Sequence, residues 1–502
     1  MRSKSLVGAF LVAAVFVGFA NVGAQCNEDG GGRTGFECDR DPDRTDVTYG
    51  FMGRKGYNGC AVGYRCFAQV GEVRGRCSPG VGSDECAPPA PPYANGYSAT
   101  PSPECPADQL CELRGAPPVS NAYIGHCRVI APPPDGGPVP APVVLTCGMP
   151  VPDTFTHVEG RAIDYQIKDC DLEIGKPVVV APGTVIAIGE GRSIRVGKNG
   201  SFQAVGTAEK RIVLRSLGAP RWGSVIFFSK SPANELAFVD IAQAGVALPE
   251  GHAAVIVGAG SFAGGDVSIR DCVFGGSDGD DISVGDGGDL RGVQRSTFDS
   301  LGYPISLTPH MVDRFAADNV VRSSKRFVNV RADGAPVARD LTWAKLSVPY
   351  HVTGTVEILG SHTIAKGVSI VMGAEANIRV DASAKPSEVG KLVMSGTAAE
   401  KIDIRGEAGA GAGSWGSIHI QTGAANSMQF VVVNGGGGLG APGDPKGMVW
   451  LDPNLSGTAV SIRDCVFEAS KSWAVVVNGQ TVNGDIETAN TFTNNASGGV
   501  SP

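Results

Sequence analysis

Five aspartates, Asp278, Asp280, Asp281, Asp286 and Asp289, crowd a short glycine-rich stretch of the chain. Carboxylates this close together suit glycoside hydrolysis, which needs two of them a few ångströms apart, one as acid and one as base or nucleophile. They also suit calcium, a hard cation that takes clustered oxygen ligands. A solvated turn with surface carboxylates is the third reading, and all three stay open here. The seven histidines are dispersed without metal-ligand spacing, and Ser-His-Asp catalysis is given no candidates.

Cysteine carries the second chemical signal. Of 13 cysteines, ten fall between residues 26 and 147. Cys60-x5-Cys66 is followed by Cys77, and Cys105-x5-Cys111 by Cys127, with Cys38 and Cys86 upstream of each trio. The pattern predicts two four-cysteine modules, 38–77 and 86–127, each closed by two bridges. Four cysteines permit three connectivities, which spacing does not choose between. Both segments are poor in Leu, Ile and Val, so covalent closure replaces a core. Zinc is the weaker alternative, because no Cys-x2-Cys pair occurs and His126 is the one histidine among these cysteines. Cys147 and Cys170 form a separate expected pair. Cys26 stands where a lipidated cysteine would lie, but Gln25 precedes it in place of a small residue.

The elements that must position these residues begin with an export signal. Arg2 and Lys4 precede an apolar run over 6–19, and Val22-Gly23-Ala24 offers a small-x-small cleavage site. The run is shorter than the roughly 20 residues a membrane span needs. Residues 1–24 are therefore expected to be a signal peptide, 25–130 a cysteine-rich region and 131–143 a proline-rich spacer of extended chain. Removing the signal takes two basic residues from 42 and no acidic ones, leaving 40 − 50 = −10. That balance, without a basic run, disfavours nucleic acid as a partner.

The body is written twice. Ser-Ile-Arg-Asp-Cys-Val-Phe occurs at 268–274 and at 461–467, and Trp222-Gly223-Ser224 returns at the same offset as Trp415-Gly416-Ser417. Between these anchors run short apolar segments punctuated by glycine, with no good helical periodicity over ten residues. Strands this short gain stability by stacking turn upon turn. The order 180–189, Gly206-Thr207-Ala208, Trp222-Gly223-Ser224 and 234–241 resembles secreted bacterial right-handed parallel β-helix repeat proteins of the pectin-lyase-like fold. The resemblance covers about 170–300 and 350–495.

That resemblance implies an all-β chain, a right-handed parallel β-helix solenoid in two tandem units, 144–335 and 336–502, behind a small disulfide-rich region. With windings of about 20–25 residues some 4.8 Å apart, the body makes roughly 14–16 windings, and Cys272 lies roughly 40 Å from Cys465, too far to bond. Trp222 and Trp415 are expected to line the coil, not to stack on sugars. Enzymes share this fold, but the polygalacturonase pattern is met only by Asp280-Asp281; Gly251-His252 comes before it and is followed by Ala253. The expected function is therefore an exported, non-catalytic, extracellular or cell-surface protein presenting an elongated surface to a glycan or a protein, with no required cofactor and calcium as the open one. The alternatives are a polysaccharide lyase or glycoside hydrolase, and a structural spacer displaying the cysteine-rich head.

Overall fold

Most strands of this chain are two to six residues long, too short to stand as isolated hairpins, and it stacks them instead. The computed structural model describes residues 140–501, except 219–220, 259–263, 334, 382–388, 423, 439–446 and 453–459, together with the backbone of six strands between residues 36 and 129. The expected signal peptide, Cys26 and the side chains of Cys38, Cys60, Cys66, Cys77, Cys86, Cys105, Cys111 and Cys127 lie outside the described residues. The chain divides into two compact units, 1–106 with 110–128, and 107–109 with 129–502.

In the first unit the strands form two three-stranded sheets. Arg74–Pro79 lies between Phe36–Asp39 and Tyr64–Phe67, and Gly125–Val129 lies between Glu85–Cys86 and Gln109–Leu113. Both cysteine modules thus share one strand order. The last cysteine of each, Cys77 or Cys127, is on the central strand.

The second unit is almost wholly parallel sheet, in stacked strands consistent with a β-helix. In its first part the chain visits three sheets in fixed order. Face A is six-stranded, from Thr154–Phe155 to Gly288–Gln294; face B is eight-stranded, from Val143–Leu145 to Val320–Val321; face C begins at Leu172–Ile174 and belongs to an 18-stranded sheet. One winding reads Glu235–Ala237 on A, Val239–Ala242 on B and Ala253–Val257 on C. Inward side chains align in columns, because parallel strands in register put like positions above one another. On face A the column is Phe155, Val180, Ala204, Leu236, Ile269 and Val293, all at most 1% exposed. On face C it runs from Leu172 through Val255, Ile282 and Tyr350 to Phe467. At roughly 25 cal/mol per Å² of apolar surface, this continuous core is the main stabilising term.

Tyr350–Ile358 joins the two copies. Its residues 350–355 pair with Val328–Asp333, 350–352 continue onto Ser369–Met372, and 355–358 onto Asn377–Val380. From there the long sheet runs as two rows, and a five-stranded sheet from Leu341–Trp343 to Ser461–Arg463 supplies the third side. The second heptapeptide places Val466–Glu468 in the row that starts at Ser369–Met372, whereas its counterpart Val273–Gly275 is on face B. Face C of the first copy therefore stacks on the row that answers face B in the second. The copies meet one face out of phase.

The heptapeptide is two strands around a corner and not a single core strand. Ile269, Cys272 and Phe274 are buried, as are Ile462, Cys465 and Phe467. Asp271 and Asp464 turn the corner with φ of +54° and +57°, a conformation Asp tolerates better than most residues. Each thiol donates to backbone carbonyls there, Cys272 to Arg270 and Leu236, Cys465 to Arg463 and Met428. Neither cysteine is bonded to another. Seven strand-to-strand steps separate their windings, roughly 34 Å at 4.8 Å each. That is less than the roughly 40 Å expected, because windings lengthen to 34 residues where loops are inserted, as from Ile370 to Ile404. Cys147 and Cys170 are bonded, with α-carbons 5.6 Å apart.

Trp222 and Trp415 are wholly buried, and each indole donates at 2.8 Å to a carbonyl, of Ala242 and of Asn434. The glycine after each is required by close approach. A Cβ on Gly223 would strike Ser193 Oγ and the Arg192 carbonyl, and one on Gly416 the side chain of Asn377.

Candidate functional site

The outer surface of face C carries a polar row where the inner surface carries the apolar column. Ser283, Ser306, Asn329 and His351 stand in register on four successive strands. Each precedes or follows an inward apolar residue, so strand alternation alone aims them outward. Ser306 Oγ donates to Asp280 Oδ2 at 2.6 Å, and Asn329 Nδ2 donates to Ser306 Oγ at 2.9 Å. The Tyr303 amide donates to Asp280 Oδ1 at 2.9 Å. Both carboxylate oxygens of Asp280 are thereby engaged.

Beside this row, and sharing Ser283 with it, opens a cleft of about 670 Å³, with Asp280, Asp286, Tyr303, Lys325 and Arg331 in its walls. Lys325 Nζ lies 4.6 Å from the Tyr303 ring centre, a cation–π contact. The Tyr303 ring also stacks beside His351, at 6.1 Å and 20°. Burial, and then the Asp280 and Glu407 charges, hold the Tyr303 hydroxyl above its ordinary pKa. It enters the cleft as a neutral hydrogen-bonding group on an aromatic plate. His351 Nε2 is 2.9 Å from Glu407 Oε1. At one end Glu250 bonds Arg195 at 2.5 Å, and that hydrogen bond holds its carboxyl below the usual range.

The five sequence-selected aspartates are not brought together. Asp278 is held at the rim by Arg221 at 3.2 Å, with His252 at 3.6 Å. Asp280 forms part of the cleft wall. Asp281 is fully buried, its side chain facing Ser277 and Ser300. Asp286 lies in the walls of this cleft and of a second one of about 710 Å³, and Asp289 is in the second alone. The adjacent Asp280 and Asp281 thus serve the outside and the inside of the coil, and Asp281 and its neighbour Ile282 are both buried. Among the described residues, no group of three or more His, Cys, Asp or Glu is arranged to hold a metal ion.

Sequence reading missed Tyr303, Ser306, Lys325, Asn329 and His351. Their signal was the even spacing from Ser283 to Ser306 to Asn329, one winding per step. It also passed over Gly275-Gly276-Ser277-Asp278-Gly279, which has the spacing of a nucleophile elbow. Ser277 is fully buried with its hydroxyl toward Asp281 and, among the described residues, no histidine bonded to it, so that run supplies no nucleophile. The second copy differs at the equivalent surface. His419 and Trp450 stack in parallel 4.1 Å apart, where the first copy has Ile226 and Ile256 sealed beneath Leu248 and Phe228.

Among the described residues, no helix is long and apolar enough to cross a membrane. No protein-family model matches the chain, and no curated protein or solved structure matches it significantly.

Proposed function

We propose that this is an exported, extracellular or cell-surface protein of the right-handed, pectin-lyase-like β-helix kind that binds a glycan without cleaving it, in the cleft over face C. The observation that carries this reading is the grouping of Asp280, Ser283, Lys325 and Arg331 with the Tyr303 ring in the cleft walls, Asp280 being held by Ser306 and the Tyr303 amide. Sugars present hydroxyls to such polar groups and an apolar face to such a ring. The cleft volume is also within the roughly 300–1,000 Å³ of small-ligand sites. Against catalysis stands the engagement of the carboxylates: Asp280 accepts two hydrogen bonds, while Glu250 and Asp278 are paired with arginines.

The test incubates purified protein, with and without calcium, against a panel of neutral and acidic polysaccharides, recording both binding and product. Binding without product is expected, weakened about tenfold or more in Tyr303→Ala, in line with 1–3 kcal/mol for a lost buried contact. Product formation would overturn the non-catalytic reading. Undiminished binding by Tyr303→Ala would move the site elsewhere.

A further inference from the structure

Behind the cleft wall, at the corner between faces B and C, the first copy encloses a cluster of oxygen atoms. Ser277, Ser300 and Ser323 occupy the same place in three successive windings, as the bonds from Leu301 N to Ser277 O and from Ser324 N to Ser300 O show. All three are at most 4% exposed, and Asp281 beside them is wholly buried. Ser323 Oγ reaches Asp281 Oδ2 at 3.4 Å. Asp281 Oδ1, Ser277 Oγ and Ser300 Oγ have no hydrogen bond of good geometry, although both hydroxyls lie near enough to the carboxylate to act on it.

We propose that this corner binds a small, hard, monovalent cation of sodium type between Asp281 Oδ1 and the hydroxyls of Ser277 and Ser300. An ionised carboxylate taken out of water costs several kcal/mol unless a charge or hydrogen bonds compensate it. Among the described residues no lysine, arginine or histidine pairs with Asp281. Burial first pushes its pKa well up against the pull of the Ser300 and Ser277 hydroxyls, and the charged groups acting on it, Asp299 and Asp280, have the same sign and add to the rise. Three buried oxygens without a well-aligned hydrogen bond are the donor type an alkali or alkaline-earth ion prefers. One positive charge neutralises one carboxylate, whereas hydroxyls are weak ligands for the second charge of a divalent ion. The second copy supplies an internal contrast. Ser470 stands for Ser277 but spends its hydroxyl on the Trp473 carbonyl at 2.7 Å, and Ala474 replaces Asp281.

The full chain is melted at pH 8 in sodium chloride and in choline chloride of equal ionic strength, as wild type and as Asp281→Asn. Sodium should raise the wild-type Tm by about 2–4 °C at ten times its dissociation constant. That increment should vanish in Asp281→Asn and shrink in Ser300→Ala, the variant that serves if the first does not fold. Equal wild-type melting in both salts would overturn the proposal, leaving water in the corner. So would a Tm that rises with acid irrespective of salt, which assigns a proton, or one raised by millimolar calcium and not by sodium.

Discussion

His362 is a histidine placed where a leucine belongs, and replacing it with leucine separates what burial demands from what this residue costs. It points inward on Ser361–Ala365, in register between Leu341 and Leu392. It is wholly buried, and neither ring nitrogen is hydrogen-bonded. Burial first, and then the Arg339 charge, press its pKa from 6.5 down to about 4. The folded ring therefore stays neutral where the unfolded ring accepts a proton. Its contribution is complete above pH 6.5 and is lost as the pH falls from 6.5 towards 4. At pH 4.5 the unfolded state has gained about two pH units of proton binding, so the loss is about 2.5 kcal/mol at 1.36 kcal/mol per unit. Urea unfolding of the wild type and His362→Leu at pH 7.5, 6 and 4.5 reads the difference directly, since other titrating groups are common to both. Hydrogen exchange along Ser361–Ala365 adds a local reading, because stacked windings need not unfold as one unit. The leucine variant should match or exceed the wild type at pH 7.5 and lead by about 2.5 kcal/mol at pH 4.5. A difference that does not change with pH would refute the assignment of a buried neutral histidine.

Three further outcomes are expected. Burial pushes the Cys272 thiol up to about 12 and that of Cys465 up to about 11. At pH 8 the thiolate fractions are then about 10⁻⁴ and 10⁻³, against roughly a quarter for a free cysteine, so iodoacetamide should label both only after unfolding; a peptide linking the two in a non-reducing digest would contradict the fold. Asn234 is wholly buried; it accepts from the Phe202 amide at 3.0 Å and donates to the Ser229 and Asp266 carbonyls at 3.0 and 2.9 Å. Asn234→Ala, which strands backbone groups in three windings, should cost about 3 kcal/mol in urea unfolding, and a loss under about 1 kcal/mol would show that those groups find other partners. Replacing Cys147 and Cys170 together by alanine opens a loop whose ends are 23 residues apart; about 3 kcal/mol should be lost, seen as faster hydrogen exchange in the first windings.

Much of the scaffold was legible before any coordinates. The repeated heptapeptide and Trp-Gly-Ser announce a duplicated stack, and their burial follows from the alternation of Ile, Cys and Phe with Arg and Asp. The Cys147–Cys170 pair was legible from proximity in sequence, and the separation of Cys272 from Cys465 from the winding arithmetic. The cleft was not. Tyr303, Ser306, Asn329 and His351 are ordinary residues in the linear text and acquire meaning only when windings of similar length bring them into register.

The sequence alone therefore determined the type of architecture, short strands stacked in parallel with a cysteine-rich segment ahead of them, because strand length, glycine punctuation and repetition are local properties. Tertiary structure alone decided which side of the wall each chemical group serves. Asp280 goes to the cleft and its neighbour Asp281 to the interior, and the strand Tyr350–Ile358, which feeds two rows at once, sets the second copy one face out of phase with the first. Side-chain direction in a strand reverses with every residue. The fate of adjacent carboxylates thus depends on register with the windings above and below, which no stretch of sequence contains by itself.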